Sequence, residues 1–399
     1  MVDFCPDDTP QLKAWRGEVR AFLEAELPGG MTFDYDYDED EAGWDAYLAF
    51  WRKVGAKKWI GLTWPEEFGG LGRSAIERWI LQEEFAEYAA PSHPIIGMAV
   101  AAGLLRHGTH AQRLRHLPGI ASGAVQWGEG YSEPGSGSDL ASLTTRAHLD
   151  GDHWVLNGQK TLGTAAHRAQ WMSVLARTDP EAPGHSAISC FLVPLDAPGI
   201  QMLPLHNMAD GQQNQTFFDN VRLPADSLLG DVNKAWNQIW FGLGGEALDP
   251  PGPSPDPYRY RIVRMLRKVM SYCRETRHRG RPLMEDPVVR LQLAELLEGV
   301  EAIRTQYYES YSNAVTGITV GPRPIALNLH QAYYKEFWPR FAQTCMEIVG
   351  PMAQIQGGRW ACLNGELEHY FRGSVSNHAG GTSQLKRMVL ATRGLGLPR

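Results

Sequence analysis

The chain has 399 residues, 43% of them apolar, which is enough to build a sizeable core in two or three domains. The formal net charge is −7 and no basic stretch is interleaved with aromatics, so nucleic acid is not an expected partner. The start, MVDFCPDD, has neither a positive segment nor an apolar run, no stretch approaches the roughly eighteen apolar residues of a membrane span, and the five cysteines form no CxxC pair. The expectation is a cytoplasmic chain with no membrane span and with free, buried thiols.

Thr9-Pro10 predicts a helix start, and Leu12, Trp15, Val19, Phe22, Leu23 and Leu27 recur at three- and four-residue steps along one buried face. The run DYDYDEDE at 34–41 lacks the glycine and glutamate that a calcium loop needs, and reads as a solvated acidic loop. A second helix carries Trp44, Leu48, Trp51 and Val54, WPEEFGG at 64–70 is a turn, and a third amphipathic helix starts at Ser74. Residues 94–105 are apolar on nearly every side, which predicts a helix buried all round. His107, His110 and His116 follow, but no cysteine or carboxylate pattern makes them a metal set.

From Ala124 to about Trp236 short alternating runs replace the helical period, at 144–149, 153–156, 171–177, 187–193, 200–205 and 215–218, as in an all-β sandwich or barrel. Two stretches here carry the chemistry. EGYSEPGSGSD at 129–139 is a Ser, Pro and Gly loop whose amides and hydroxyls can face a ligand at close range. WVLNGQKTLGT at 154–164 contains Asn157-Gly158, a two-residue hairpin signal. Together they are expected to turn the hydroxyls of Ser132, Ser138 and Thr164 towards one site. Gly135 and Gly137 do not complete a dinucleotide fingerprint, and Ser132-Glu133-Pro134 is not a nucleophile elbow. Helices return after Trp236, with Leu291, Leu293, Leu296, Leu297, Val300 and Ile303 as one long stripe and further helical stretches at 342–352 and 363–372.

Five motifs, WPEEFGGLGR at 64–73, GYSEPGSGSD at 130–139, VLNGQK at 155–160, DNVRLP at 219–224 and GGTSQLKR at 380–387, stand in the order and spacing of the acyl-CoA dehydrogenase family, which the chain resembles over nearly its whole length. The resemblance implies an α+β fold: an N-terminal helical domain (1–123), a middle β-sandwich or barrel (124–236) and a C-terminal helical domain built on a four-helix bundle (237–399). It also implies FAD as cofactor, an acyl-CoA thioester as substrate, an electron-transfer flavoprotein or similar acceptor, and a homo- or heterotetramer. The implied reaction is removal of an α-proton by a glutamate while the β-hydrogen leaves as hydride to flavin N5. The glutamate that many members carry before Gly-Thr-Ser is Gly380 here, whereas Glu246, in WFGLGGEAL, stands where another branch places its base.

Position by position, the resemblance implies that Tyr131, Ser132, Leu162, Thr164, Thr382 and Gln384 contact FAD and that Ser138 lies nearer the substrate. Leu162 replaces a tryptophan, Thr276 replaces a phosphate-gripping arginine for which Arg277 or Arg279 could substitute, and residues 346–352 replace a glycine-rich adenine cradle. Ala247 replaces an arginine that often follows the base, and the prolines of 249–257 must break the helix just beyond it, reshaping the substrate mouth. The combination resembles one subunit type of heteromeric dehydrogenases of sterol side-chain breakdown, and implies a bulky, steroid-derived thioester. The alternatives are a dehydrogenase or oxidase of a carrier-protein-bound acyl group, and a catalytically silent structural subunit.

Overall fold

The computed structural model describes residues 9–27, 41–91, 95–208, 212–236, 257–316, 323–375 and 380–398. The chain divides into two compact units, one of Met1–Ile80, Pro91–Asn207 and Gly211–Gly252 and the other of Leu81–Ala90, Met208–Asp210 and Pro253–Arg399. The acidic run at 34–40, Cys5, and Glu246 with most of the proline-rich stretch behind it lie outside the described residues.

In the first unit the helices form where the apolar period predicts them. Thr9 caps α1 (Pro10–Glu26) by accepting the Leu12 amide at 3.3 Å, and Trp15, Val19 and Leu23 are buried. Helix α2 (Glu41–Ala56) buries Trp44, Tyr47, Phe50, Trp51 and Val54. The rings of Trp15 and Phe22 both meet Trp59 edge-on, at 5.1 and 5.0 Å, so α1 is locked onto the segment after α2. The WPEEFGG turn closes so tightly that a Cβ at Gly70 would lie 2.1 Å from the Trp64 carbonyl oxygen. Helix α3 (Ala75–Glu87) belongs to the first unit only as far as Ile80; α4 (Ile95–His107) follows in the first unit, with Met98, Val100, Ala101, Ala102 and Leu104 buried. A capping box of Thr109 and Gln112 starts α5 (His110–Ala121), and the Gln112 amide also donates to the carbonyls of Asp226 and Leu228, both at 2.8 Å.

Eight strands follow: β1 (Trp127–Gly130), β2 (Arg146–Asp150), β3 (His153–Thr164), β4 (Trp171–Arg177), β5 (Ile188–Pro194), β6 (Ile200–His206), β7 (Gln212–Pro224) and β8 (Leu228–Leu229). They form one sheet in the order β6-β7-β3-β2-β4-β5-β8, with β1 beside β4 in parallel. Trp154 on β3 and Phe191 on β5 stand apart in that order, yet their rings are 5.2 Å apart. The sheet therefore curls over the core of Leu156, Met172, Val174, Phe191, Val193 and Val221.

One local expectation fails here. Asn157-Gly158 is not a hairpin turn; it lies inside β3, and the β2–β3 hairpin turns at Gly151 instead. Gly158 serves close packing: a Cβ there would sit 2.5 Å from Thr145 Oγ1 and 2.7 Å from Thr145 Cα. Asn157 holds Asn220 on β7, accepting its amide at 2.9 Å. The strand pairing on both sides overrides the local turn preference.

In the second unit, α6 (Pro257–Glu275) buries Ile262, Met265, Leu266, Val269 and Cys273. Helix α7 (Pro287–Thr316) buries Leu293, Leu296, Val300 and Ile303, but Leu291 and Leu297 are 61% and 39% exposed, so the buried stripe is narrower than the sequence predicts. A Cβ at Gly299 would lie 2.1 Å from Phe337 Cε2, which places α8 (Arg323–Val349) tightly against α7. Tyr370, on α9 (Glu366–Val375), packs on Trp338 and Phe341, and α10 (Ser383–Val389) completes the unit. Among the described residues no helix is long and apolar enough to cross a membrane.

Candidate active site

Strand β1 sorts its side chains by alternation. A Cβ at Gly130 would meet Met172 Sδ at 2.9 Å and Val174 Cγ2 at 3.1 Å, so Gly128 and Gly130 face the sheet core and leave no room for a side chain. Trp127, Glu129 and Tyr131 therefore face the other way, towards α4, where the Gly97 Cβ position is 4.0 Å from Trp127 Cδ1. On that face Ser173 Oγ donates to the Tyr131 hydroxyl at 3.3 Å. Glu129 has no hydrogen-bond partner among the described residues, and burial pushes its carboxyl up to about 7.

The loop after β1 is pinned by a buried ion pair. Lys160 Nζ lies 2.8 Å from Glu133 Oε1, with the side chains only 2% and 3% exposed, and it also donates to the Tyr131 carbonyl at 3.1 Å. Glu133 accepts three further bonds, from Thr144 N and Oγ1, both at 2.7 Å, and from Thr145 N at 2.8 Å. Burial alone would raise the Glu133 pKa, but the Lys160 charge and these donors outweigh it and hold the carboxyl down at about 2. Burial draws Lys160 down to about 8 against the pull of Glu133, so both groups are charged at neutral pH. The backbone from Tyr131 to Glu133 is thus fixed from within.

Beside it runs the end of β3. Thr161 N donates to the Ser132 carbonyl at 2.9 Å, and the Gly163 Cβ position is 3.4 Å from the Glu129 carbonyl, so residues 161–163 run antiparallel to 129–132. The register against β7 slips between Lys160 and Gly163, and in that bulge Leu162 adopts φ 62° with its side chain 39% exposed. Such a conformation costs on the order of 1 kcal/mol for a residue with a Cβ. The hydroxyls of Ser132, Ser138 and Thr164 have no hydrogen-bond partner among the described residues. The result is a rigid edge with unspent donors, close to an exposed Leu162.

Comparison with known proteins gives this edge its context. The chain matches the models of the acyl-CoA dehydrogenase N-terminal domain at residues 9–124, middle domain at 128–221 and C-terminal domain at 260–395. It is 31% identical to acyl-CoA dehydrogenase FadE26 of Mycobacterium tuberculosis over 398 residues, covering 98% of each chain. The chain belongs to the acyl-CoA dehydrogenase family. As such it is an enzyme of the acyl-CoA dehydrogenase type. Among solved structures it is similar to the ChsE4-ChsE5 complex of Mycobacterium tuberculosis, with a TM-score of 0.86, 30% identity and coverage of 99% of this chain and 100% of that one. It is equally similar to the Tcur3481-Tcur3483 steroid ACAD, at a TM-score of 0.86 and 30% identity, covering 98% and 99% of the two chains.

Within this acyl-CoA dehydrogenase, Tyr131, Ser132, Leu162 and Thr164 share the β1–β3 edge, and Ser138 follows on the same loop. Thr382 and Gln384 belong to the second unit: Thr382 Oγ1 accepts the Leu385 amide at 3.2 Å as the cap of α10, and Gln384 is exposed. Gly380 has φ 69° with nothing within 4 Å of a Cβ position, so its backbone, rather than crowding, disfavours a glutamate there. Arg277 donates to the Gly280 carbonyl across the turn of a short hairpin, β9 (Arg277–His278) with β10 (Arg281–Pro282), and Arg279 stands at its tip with φ 52°.

Sequence reasoning missed Glu129 and the Lys160–Glu133 pair; the only signal was a carboxylate and an ammonium in strands that otherwise alternate towards a core. His116 is buried against the rings of Trp127 and Trp171, whose centroids lie 5.3 and 4.7 Å away, and burial lowers its pKa to about 4. It is a neutral packing residue. No group of three or more potential metal ligands occurs among the described residues. A separate groove of about 910 Å³ lies along Thr144, Arg146, His148 and Arg177, but the Arg177 guanidinium is already spent on the carbonyls of Ala141, Leu143, Ala182 and Gly184.

Proposed function

We propose that this acyl-CoA dehydrogenase uses FAD to dehydrogenate a bulky, steroid-derived acyl-CoA thioester between Cα and Cβ, with Glu246 as the base. The observation that carries this reading is the β1–β3 edge. Ser132 and Thr164 keep their hydroxyls free beside a backbone that the Lys160–Glu133 pair immobilises, a donor set that fits the acceptor-rich rim of an isoalloxazine. When bound there, FAD supplies the hydride acceptor.

The chain's own residues supply the rest. Ser132 and Thr164 orient the ring through hydrogen bonds, with the Tyr131 backbone alongside, and Thr382 and Gln384 are further proposed cofactor contacts. Ser138 lies towards the thioester. Glu246 takes the α-proton; in the sequence it is the lone acid of the apolar run 239–248, and a base for this proton must be desolvated to reach the basicity required. Support for the substrate class comes from the steroid ACAD among the similar structures, and the ChsE4-ChsE5 complex supports assembly with a partner, like or unlike, for which a tetramer is the proposed form. An electron-transfer flavoprotein or similar acceptor would reoxidise the cofactor.

The test is Glu246→Gln in chain carrying FAD. Dehydrogenation of steroid-side-chain CoA thioesters should fall by at least about 10³-fold, the scale of losing a proton-transfer group, with flavin content unchanged. Unchanged turnover would remove Glu246 as base. Full activity on carrier-bound acyl groups with none on CoA esters would replace the substrate class. If no flavin is retained alone or with a homologous partner subunit, the silent-subunit reading takes over.

A further inference from the structure

The groove along Thr144, Arg146, His148 and Arg177 has no place in the reaction described above, and its charge is unbalanced. It holds about 910 Å³ and opens on the outer face of β2, where Arg146 and His148 are exposed while Ala147 between them is buried in the core. Arg146 stands opposite Asn157 on β3 and opposite Arg177 on β4, so two guanidiniums occupy facing positions on adjacent strands. Like charges so placed repel each other. No Asp or Glu lines the groove to compensate them. Arg177 spends its donors on four carbonyl oxygens, which carry no net charge, and Arg146 makes no hydrogen bond or ion pair among the described residues. Asp150, the next residue on that face after His148, is already paired with Arg222 at 2.6 Å, and Asp179 accepts the amides of Glu181 and Ala182 in its own loop.

A surface arginine is ordinarily a solvated one. What sets Arg146 apart is a second, half-buried guanidinium in register with it and an open groove in front of both. The other polar groups of the wall are committed: Thr144 Oγ1 donates to Glu133, Ser142 Oγ to the Asp139 carbonyl, Thr178 Oγ1 to Asn233 and Asn220 Nδ2 to Asp219. The donors left for a ligand are the N–H fork of Arg146 and the ring of His148, two residues and about 6.6 Å further along the strand. That set suits an anion with several acceptor oxygens, and two facing positive charges favour a dianion over a carboxylate. We infer that the groove binds the phosphoryl group of a small organic phosphate, with Arg146 gripping two of its oxygens, His148 donating to a third and the Arg177 charge adding attraction. An anion there replaces the repulsion between the facing arginines by attraction to both. The groove is far larger than a phosphate, so the organic body can lie along it towards Asn157 and Asn220. Its lining includes none of residues 129–132 or 161–164, which makes it a second site, separate from the edge proposed to hold FAD.

The experiment is titration calorimetry at constant ionic strength on the full chain supplemented with FAD, with phenyl phosphate and benzoate as probes. Wild type is expected to bind phenyl phosphate, and to bind it more tightly than benzoate. Arg146→Gln should weaken phenyl phosphate about tenfold or more, the worth of a charge-assisted hydrogen-bonded contact, whereas Arg146→Lys, which keeps the charge but not the fork, should lose about threefold. Saturating butanoyl-CoA should leave the wild-type affinity unchanged. Because Arg146 is exposed and has no partner, the urea midpoint of Arg146→Gln in low-salt buffer without phosphate should be no lower than that of wild type. No binding to wild type, or equal affinity in wild type and Arg146→Gln, overturns the site. Equal affinity for benzoate overturns the phosphoryl assignment, and displacement by butanoyl-CoA overturns its independence from the substrate. A lowered urea midpoint means that the protein itself holds Arg146, and overturns the argument from its unmet charge. None of these results bears on Glu246 or the β1–β3 edge.

Discussion

The Lys160–Glu133 pair makes the sharpest prediction. In Lys160→Met the methionine fills most of the lysine volume, but Glu133 is left 3% exposed with no opposite charge and only the three donors of Thr144 and Thr145. Breaking a buried pair from one side typically costs about 3–5 kcal/mol. The three surviving bonds put this variant at the lower end, about 3 kcal/mol. In Glu133→Gln the unpaired Lys160, already drawn down to about 8, can release its proton, so about 2–3 kcal/mol is expected. The double variant should cost clearly less than the sum of the two, because each single change strands the other charge.

Urea denaturation followed by tryptophan fluorescence reads all three. The acid limb is an independent check. The folded Glu133 value of about 2 lies below its ordinary 4.5, so the stability it contributes is present above pH 4.5 and drains away as the pH falls towards 2. Both single variants should flatten that limb. Changes within 0.5 kcal/mol, or costs that simply add, would refute the claim that the pair holds the Tyr131–Glu133 backbone.

Three further outcomes follow from the geometry. Gly158→Ala should lose about 2 kcal/mol or more in the same denaturation assay, because the new Cβ meets Thr145 at 2.5 to 2.8 Å on both its backbone and its side chain. For Glu129 the sign is opposite to Glu133: a folded value of about 7 above the ordinary 4.5 means that its contribution is present below pH 4.5 and lost as the pH rises through 7, and Glu129→Gln should remove that slope between pH 5 and 8. Thr382→Ala should cost about 1 kcal/mol through the lost cap of α10, and an additional drop in FAD retention would separate a cofactor contact from capping alone.

Much of the architecture could be read in the sequence because it rests on local periodicity. The 3.6-residue stripes of α1 and α2 and the short apolar runs of β4 and β5, which are buried nearly throughout, express what a few consecutive residues prefer, whereas the helix expected over 342–352 stops at Val349. Leu291 and Leu297 show the limit of that signal. Both are apolar and correctly spaced for a helix, but which leucines are covered depends on where neighbouring helices lie.

The order of a helical segment, a β layer and a second helical segment, and the placing of Ser132 and Thr164 in motifs resembling a known family, were determined by the sequence alone. The tertiary structure decided what those motifs are built from. Asn157-Gly158 carries a turn signal yet is strand, because β7 pairs on one side and Thr145 approaches within 2.5 Å on the other. Lys160 reads as a solvated strand residue until Glu133, 27 positions earlier, is brought to 2.8 Å. Glu129 reads as an exposed acid until the glycines on either side of it press β1 against Met172 and turn its carboxyl towards an apolar helix. In each case the deciding energy is desolvation or close packing set by residues distant in the chain, and a local pattern carries no record of it.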